Sequence, residues 1–302
     1  MADDRVVSEI VSKFFLDTCQ LRQQMHEDSV LGIMACFEGA TVRKLHDCFL
    51  IPLTTGSVAE LYILPMFTCF GDIDIMCHRN NELAIPAGTA PPTQLPAEFH
   101  NRVIVYEIID SEFPGYVYLV TSYFLTECTE DGKYSAVQCP RVYVPMKRVV
   151  DVVNIGVGIQ GPAIVSQYTL PRHKYVGRMA ESRHSTDFVY CVRCLSWPSQ
   201  AADWPSRHRE YGWPDSATVD RVISNGCDVV GVAHHRCRED QWMGKHQMRL
   251  SFSRAEIALL NSWIPVQQIV YHMLRVFVKT ERLTDSANNA GVKAFTNYHI
   301  KL

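Results

Sequence analysis

No apolar run in this 302-residue sequence approaches membrane-spanning length; the most apolar stretches are broken by Asp, Arg or Pro. The sequence also lacks a basic start followed by an apolar block. Its N-terminus, MADDRVVSEIVSKFF, is acidic and then amphipathic, so no secretory signal is expected. There is no internal repeat, no long low-complexity segment and no large excess of one sign of charge. The formal net charge of −3 argues against a surface built throughout for nucleic acid, while leaving room for one local basic patch. A disulfide framework is missing too. The 11 cysteines are odd in number and scattered along a chain longer and less regular than a stapled secreted scaffold. Reduced, mostly buried thiols in a cytoplasmic protein are the expectation.

What is present suffices for a core. Hydrophobic residues make up 47% of the chain and charged residues 20%, as in ordinary globular proteins. The length suits one large domain or two closely packed lobes. Val7, Ile10, Val11, Phe14, Leu21 and Met25 recur at helical spacing, predicting a long amphipathic helix over 5–37 that Gly39 stops. Phe49-Leu50-Ile51 leads as a strand into Thr54-Thr55-Gly56-Ser57, and Asp72 to Met76 alternates acidic and apolar residues like a half-buried strand. The proline-rich stretch 86–97 reads as a loop. Strands over Val103–Tyr106 and Tyr116–Val120 flank a turn at Pro114-Gly115, and residues 143–192 are strand-rich, with Asp187–Val192 the clearest strand there. After Trp197-Pro198 the pattern turns mainly helical, over Ala217–Ser224, Arg254–Leu260 and Val266–Lys279, with one strand, Met248–Ser253. The expected division is a mixed α/β unit over 1–198 and a mainly helical one over 199–302.

Asp72 and Asp74 stand two apart, so strand alternation sends both carboxylates to one face and Ile73 and Ile75 to the other. Such a pair repels itself unless cations or donors are near, and hard oxygen ligands suit Mg²⁺. Upstream, Gly56-Ser57 can cradle a phosphate through turn N–H groups and a hydroxyl. A Gly-Ser turn followed by Asp-x-Asp is the layout of polymerase-β-type nucleotidyltransferases, which need a third carboxylate on an adjacent strand. Asp187 opens a strand at a suitable distance. Taken singly, these features have plainer readings: a lone Asp-x-Asp is more often a solvated strand face, and a lone Gly-Ser is any turn.

The rest of the chain adds to them. Asp187-Phe188-Val189-Tyr190 runs into Ser196-Trp197-Pro198. Then come Val229 to His235, Arg249-Leu250-Ser251-Phe252-Ser253 with Ala255-Glu256, and Asn297-Tyr298-His299-Ile300-Lys301. With Gly56-Ser57 and Gly71 to Met76, these segments resemble the cGAS/Mab (male-abnormal) nucleotidyltransferase family, which contains cyclic GMP-AMP synthase and the cGAS-like receptors; the likeness is strongest to invertebrate receptor-like members. The resemblance implies an α+β fold: a polymerase-β-like nucleotidyltransferase core with a long N-terminal spine helix and a helical C-terminal lobe. It implies that Asp72, Asp74 and Asp187 bind Mg²⁺ or Mn²⁺ and that Gly56 and Ser57 form the phosphate turn. Arg249, Ser251 and Ser253 would read the acceptor nucleobase, Arg275 would lie near the triphosphate, and Tyr298 would stack on a base. The residues themselves agree on one point: Arg249, Ser251 and Ser253 alternate, so on a strand they share a face while Leu250 and Phe252 pack inward. The implied reaction joins ATP and GTP into a cyclic dinucleotide in innate immune signalling. The alternative is a catalytically silent nucleotide-binding or scaffold protein.

Three departures stand out. Glu60 is followed by Leu61 where family members often have Gly, Met248 stands in place of a bulky aromatic, and the chain ends at Leu302, short of the helices that usually complete the C-terminal lobe. The stretch Leu259 to Ile264 holds no zinc-thumb insertion, and Cys191 and Cys194, three apart on a strand, face opposite ways. No structural zinc is expected, from these or from His234 and Cys237. Arg172, His173, Lys174, Arg178, Arg183 and His184 form the strongest basic cluster, with a second at Arg207, His208 and Arg209. Such runs are usually solvated loops. As a groove, the first would hold double-stranded RNA, less readily DNA, through salt-sensitive phosphate contacts. No membrane partner is expected, and the protein would be a monomer or a ligand-induced dimer.

Overall fold

The computed structural model describes residues 50–56, 73–128, 130–146, 158–160, 163–169, 183–209, 211–238 and 240–280, with Glu9, Lys13 and Ala59. Glu9 and Lys13 are helical; the rest of the helix expected over 5–37 lies outside the described residues.

Among the described residues, ten strands form one sheet: β1 (Leu50–Thr55), β2 (Ile73–Pro86), β3 (Arg102–Asp110), β4 (Tyr116–Glu127), β5 (Tyr134–Gln138), β6 (Gly158–Gln160), β7 (Ala163–Thr169), β8 (Arg183–Cys194), β9 (Cys227–Val230) and β10 (Gln247–Ser251). The longest hairpin follows from composition. β3, RVIVYEIID, and β4, YVYLVTSYFLTE, are rich in β-branched and aromatic residues. They pair antiparallel from Arg102↔Thr126 to Asp110↔Val117. The turn between them runs through Gly115 at φ +78°, which glycine adopts without steric cost.

Central strands close on themselves. β2 pairs parallel with both β3 and β8, β4 pairs with β10, β10 with β9, and β9 with β8. The ring β2-β3-β4-β10-β9-β8 thus leaves these strands little unpaired edge. A register shift in β2 between His78 and Leu83 permits it: before the shift β2 is flanked by β1, and beyond it by β3. Tyr106, Leu119, Cys194, Val229, Met248 and Leu250 pack together as the ring's filling. A second apolar layer, with Leu83, Phe99, Val103, Leu125 and Tyr134, covers the outer side of β2, β3 and β4. A third, smaller one joins Met76, Cys191 and Val230 on the outer side of β2, β8 and β9.

Helices α1 (Ser216–Ser224), α2 (Trp242–His246), α3 (Ser253–Leu260) and α4 (Pro265–Thr280) follow β8. Val222 of α1 packs on Ala255 and Ala258 of α3, with Trp197 and Phe252 against them. The start of α1 is capped by Asp215, which accepts from the Thr218 N–H at 2.7 Å. Hydrogen bonds from Thr218 hold the Asp215 carboxyl below its ordinary range.

The helices expected after Pro198 are all present, but β9 and β10 run among them as central strands of the ring. The strand expected over Met248–Ser253 is shorter than its pattern. It stops at Ser251 because Phe252 leaves the extended region, at φ −106° and ψ 23°, and Ser253 opens α3. Phe252 turns instead onto Trp197, ring centroids 5.3 Å apart.

Candidate functional site

Asp74 and Asp187 are direct partners in the parallel pairing of β2 with β8. Partners on neighbouring strands stand about 4.8 Å apart with side chains on the same face. The row extends to Thr55 on β1, and the backbone of Asp187 pairs on its other side with Val165 of β7. Alternation places the next row on that face at Leu53, Met76 and Val189, which pack with Cys191 and Val230 as an apolar floor. Both carboxylates are half-buried above this floor.

The turn after β1 presses on one of them. Gly56 has φ +61°, and a Cβ there would lie 2.0 Å from Asp74 Oδ2 and 2.8 Å from its Cγ. Only a residue without a side chain allows that approach. Thr55 Oγ1 donates to the Asp74 carbonyl at 3.3 Å, tying the turn's strand to the same residue. Gly56 and Asp74, from the two motifs that the sequence sets in order, are therefore one local structure. Ser57 and Asp72 lie outside the described residues. Among the described residues no three His, Cys, Asp or Glu side chains gather as a metal site; the acidic pair is Asp74 with Asp187.

Arg249 is exposed on β10, opposite Val230 on β9 and Tyr116 on β4. Ser251 is half-buried, with its hydroxyl 3.1 Å from that of Ser253 and 3.8 Å from Met76 Sδ. Met76 belongs to the floor beneath the carboxylates, so the serine pair adjoins the acidic site through one side chain. Ser253 does not continue the strand face with Arg249 and Ser251, as the alternation implied. It reaches Ser251 from the first residue of α3. Leu250 is buried on the opposite side, as expected.

Arg275 lies on α4, its guanidinium carbon 5.8 Å from the centre of the Tyr271 ring. Tyr298, Arg172, Lys174 and Arg178 lie outside the described residues, and Arg183 begins β8 opposite Thr169. The second basic cluster is engaged locally. Arg207 pairs with Asp203 at 2.9 Å. Arg209 donates to the carbonyls of Trp204, Pro205 and Arg207 and lies 5.1 Å over the Trp204 ring. Cys191 and Cys194 take opposite faces of β8, the first in the floor and the second in the ring's filling. His234 stacks on Phe113 at 3.9 Å, and Cys237 donates to Gln247 Oε1 at 3.4 Å.

A buried polar group beside the floor has no counterpart in the sequence reading. Asp228 on β9 is wholly buried, and Arg254 of α3 donates from Nε to its Oδ2 at 2.9 Å. Arg193 spends its guanidinium on the carbonyls of Cys194 and Cys227, at 2.7 and 2.8 Å, and of Asn225. Burial, then the charge of Arg254, lower the Arg193 pKa from its ordinary value. Burial pushes His78 down and so favours its neutral form, while burial and the Asp228 charge push the Cys191 thiol well up. The available sequence signal was a single acid inside the apolar run Cys227-Asp228-Val229-Val230; Arg254 reads as an ordinary helix residue.

No curated protein matches the chain. Residues 151–262, which include Asp187, Asp228, the β10 strand and α3, match the family model for the Mab-21 protein nucleotidyltransferase domain.

Proposed function

We propose that the chain is a metal-dependent nucleotidyltransferase of the cGAS-like kind, which joins ATP and GTP into a cyclic dinucleotide on sensing a ligand such as double-stranded RNA, in innate immune signalling. The observation that carries this reading is the pairing of Asp74 with Asp187 beneath the Gly56 turn. Two oxygen-donor side chains on adjacent strands suit Mg²⁺ or Mn²⁺, which prefer few carboxylates plus substrate phosphates. Asp74 and Asp187, with Asp72, would hold the ion. Bound there, a divalent ion supplies charge neutralisation at a phosphoryl group and eases deprotonation of an attacking hydroxyl.

The protein's own groups supply the positioning. The Gly56-Ser57 turn offers N–H groups and a hydroxyl to the triphosphate. Ser251 and Ser253 offer paired hydroxyls, and Arg249 a planar cation, to the acceptor base, with Arg275 near the triphosphate and Tyr298 as a base-stacking ring. A ribose hydroxyl then attacks an α-phosphorus, a new P–O bond forms, and the bond to the departing pyrophosphate breaks. A second round closes the ring. Rate enhancement comes from alignment and charge stabilisation. The basic segment with Arg172, Lys174, Arg178 and Arg183 is the surface proposed for the polynucleotide.

The test is product analysis by mass spectrometry. Protein is incubated with the four ribonucleoside triphosphates and Mg²⁺ or Mn²⁺, with and without double-stranded RNA or DNA. A phosphatase-resistant cyclic dinucleotide is expected, removed by chelator and by Asp74→Asn. Undiminished product from Asp74→Asn would sink the mechanism. Metal-dependent thermal stabilisation by ATP or GTP without any product would assign the chain instead to silent nucleotide-binding proteins.

A further inference from the structure

The first turn of α3 lacks the usual anchor. Its N-cap residue is Phe252, and no side chain caps the helix start. Helix starts leave N–H groups unsatisfied and are usually fixed by a Ser, Thr, Asp or Asn cap. Arg254 in this first turn is also electrostatically misplaced, since the positive end of a helix disfavours a cation. Its location is explained by Asp228, which is 0% exposed and accepts from Arg254 Nε at 2.9 Å, while Arg254 is 20% exposed. Arg193 is committed to three carbonyls. Arg254 is therefore the only ion-pair partner of Asp228 among the described residues.

Asp228 is the strand partner of Ser251. The ion pair thus ties the residue after Ser253 to the strand beside Ser251, and the two hydroxyls stand 3.1 Å apart. An apolar pair of similar volume would fill the space with less desolvation cost, but without the directional hold of a planar guanidinium. We propose that Arg254 and Asp228 are a positioning pair that replaces the missing cap of α3 and holds the hydroxyls of Ser251 and Ser253 convergent on one nucleotide group. The proposal rests on the nucleotide-reading role given above to those serines.

The test combines hydrogen exchange with a double-mutant cycle. The variants are Arg254→Met, Ser253→Ala and their combination. Binding is followed with the non-hydrolysable α,β-methylene analogues of ATP and GTP in the presence of Mg²⁺. Ser253→Ala is expected to weaken the better-bound analogue about tenfold, the worth of a hydrogen bond in a site. Arg254→Met should do the same and also speed amide exchange over 254–258, with near-UV circular dichroism retained. The combined variant should bind no worse than either single one, because both remove one and the same contact. Additive losses, near a hundredfold, or unchanged exchange over 254–258 would overturn the proposal. Should Arg254→Met fail to fold because Asp228 is left unpaired, Arg254→Met with Asp228→Asn removes that charge and carries the same expectations. Wild-type protein that binds neither analogue refutes the nucleotide reading itself, an outcome distinct from tight wild-type binding with additive losses.

Discussion

Replacing Gly56 with alanine puts a methyl group where the Asp74 carboxylate now lies. The Cβ would stand 2.0 Å from Asp74 Oδ2, and ordinary contact needs about 3.5 Å. The carboxylate must give way by roughly 1.5 Å, and displacements of about 1 Å in a reacting constellation cost on the order of 100-fold in rate. A second cost is separate: an L-residue at φ +61° loses about 1–2 kcal/mol, a fall of a few degrees in the unfolding midpoint for a protein of this size. Gly88 isolates that backbone term, because it has φ +72° with nothing within 4 Å of a Cβ. Gly56→Ala and Gly88→Ala are therefore expected to lose similar stability. If the chain has the activity and metal proposed above, only Gly56→Ala should lose product formation, by about 100-fold, together with the metal-dependent stabilisation expected in a thermal melt. Equal activity in the two variants would refute the claim that Gly56 fits because the Asp74 carboxylate occupies the space of its missing side chain.

Asp215→Ala should lower the midpoint at pH 7 by removing the cap of α1. The carboxyl is held below its ordinary range in the folded state, so its contribution is present above the unfolded-state pKa and is lost as pH falls through the folded one. Melts taken down to about pH 2 should show the two proteins converge only below the ordinary carboxylate range, near 4; convergence already at pH 5 would contradict the assignment. His78 is buried with its Nδ1 3.3 Å from the Arg79 carbonyl, among Arg193, Asp228 and Arg254. Because burial lowers its pKa, the unfolded chain takes up a proton below about pH 6.5 that the native one refuses. Urea midpoints of the wild type should fall from pH 7.5 to 5.5 more steeply than those of His78→Gln, and parallel slopes would argue against a neutral buried imidazole.

Much of the fold was legible because its signals are local. The β-branched and aromatic runs of β3 and β4 around Pro114-Gly115, and the periodic stretches that became α1, α3 and α4, announce themselves within a few residues. β9 was harder. Its four residues are all buried, and a fully buried strand this short shows no alternation. The end of β10 is ambiguous in the sequence because the alternation of Arg249, Ser251 and Ser253 also fits a strand followed by a helix start, and only the packing of Phe252 on Trp197 separates the two. Arg254 and Asp228 stayed hidden because neither residue carries a local sign of its partner.

The sequence by itself determined which residues could share a face. Asp74 is opposed to Ile75, Cys191 to Cys194, and Leu250 to Ser251, since strand alternation follows from backbone geometry alone. It also determined that position 56 would tolerate an unusual backbone, since only glycine takes φ +61° without penalty. Tertiary structure alone decided which faces meet. The partnership of Asp74 with Asp187, the closure of six strands into a ring, and the seating of Arg254 on Asp228 all depend on pairing register between distant segments. A slip of one residue would turn either carboxylate to the other side of the sheet. Register is set by the collective burial of the filling and the floor, a property of the folded whole that no short window of residues contains.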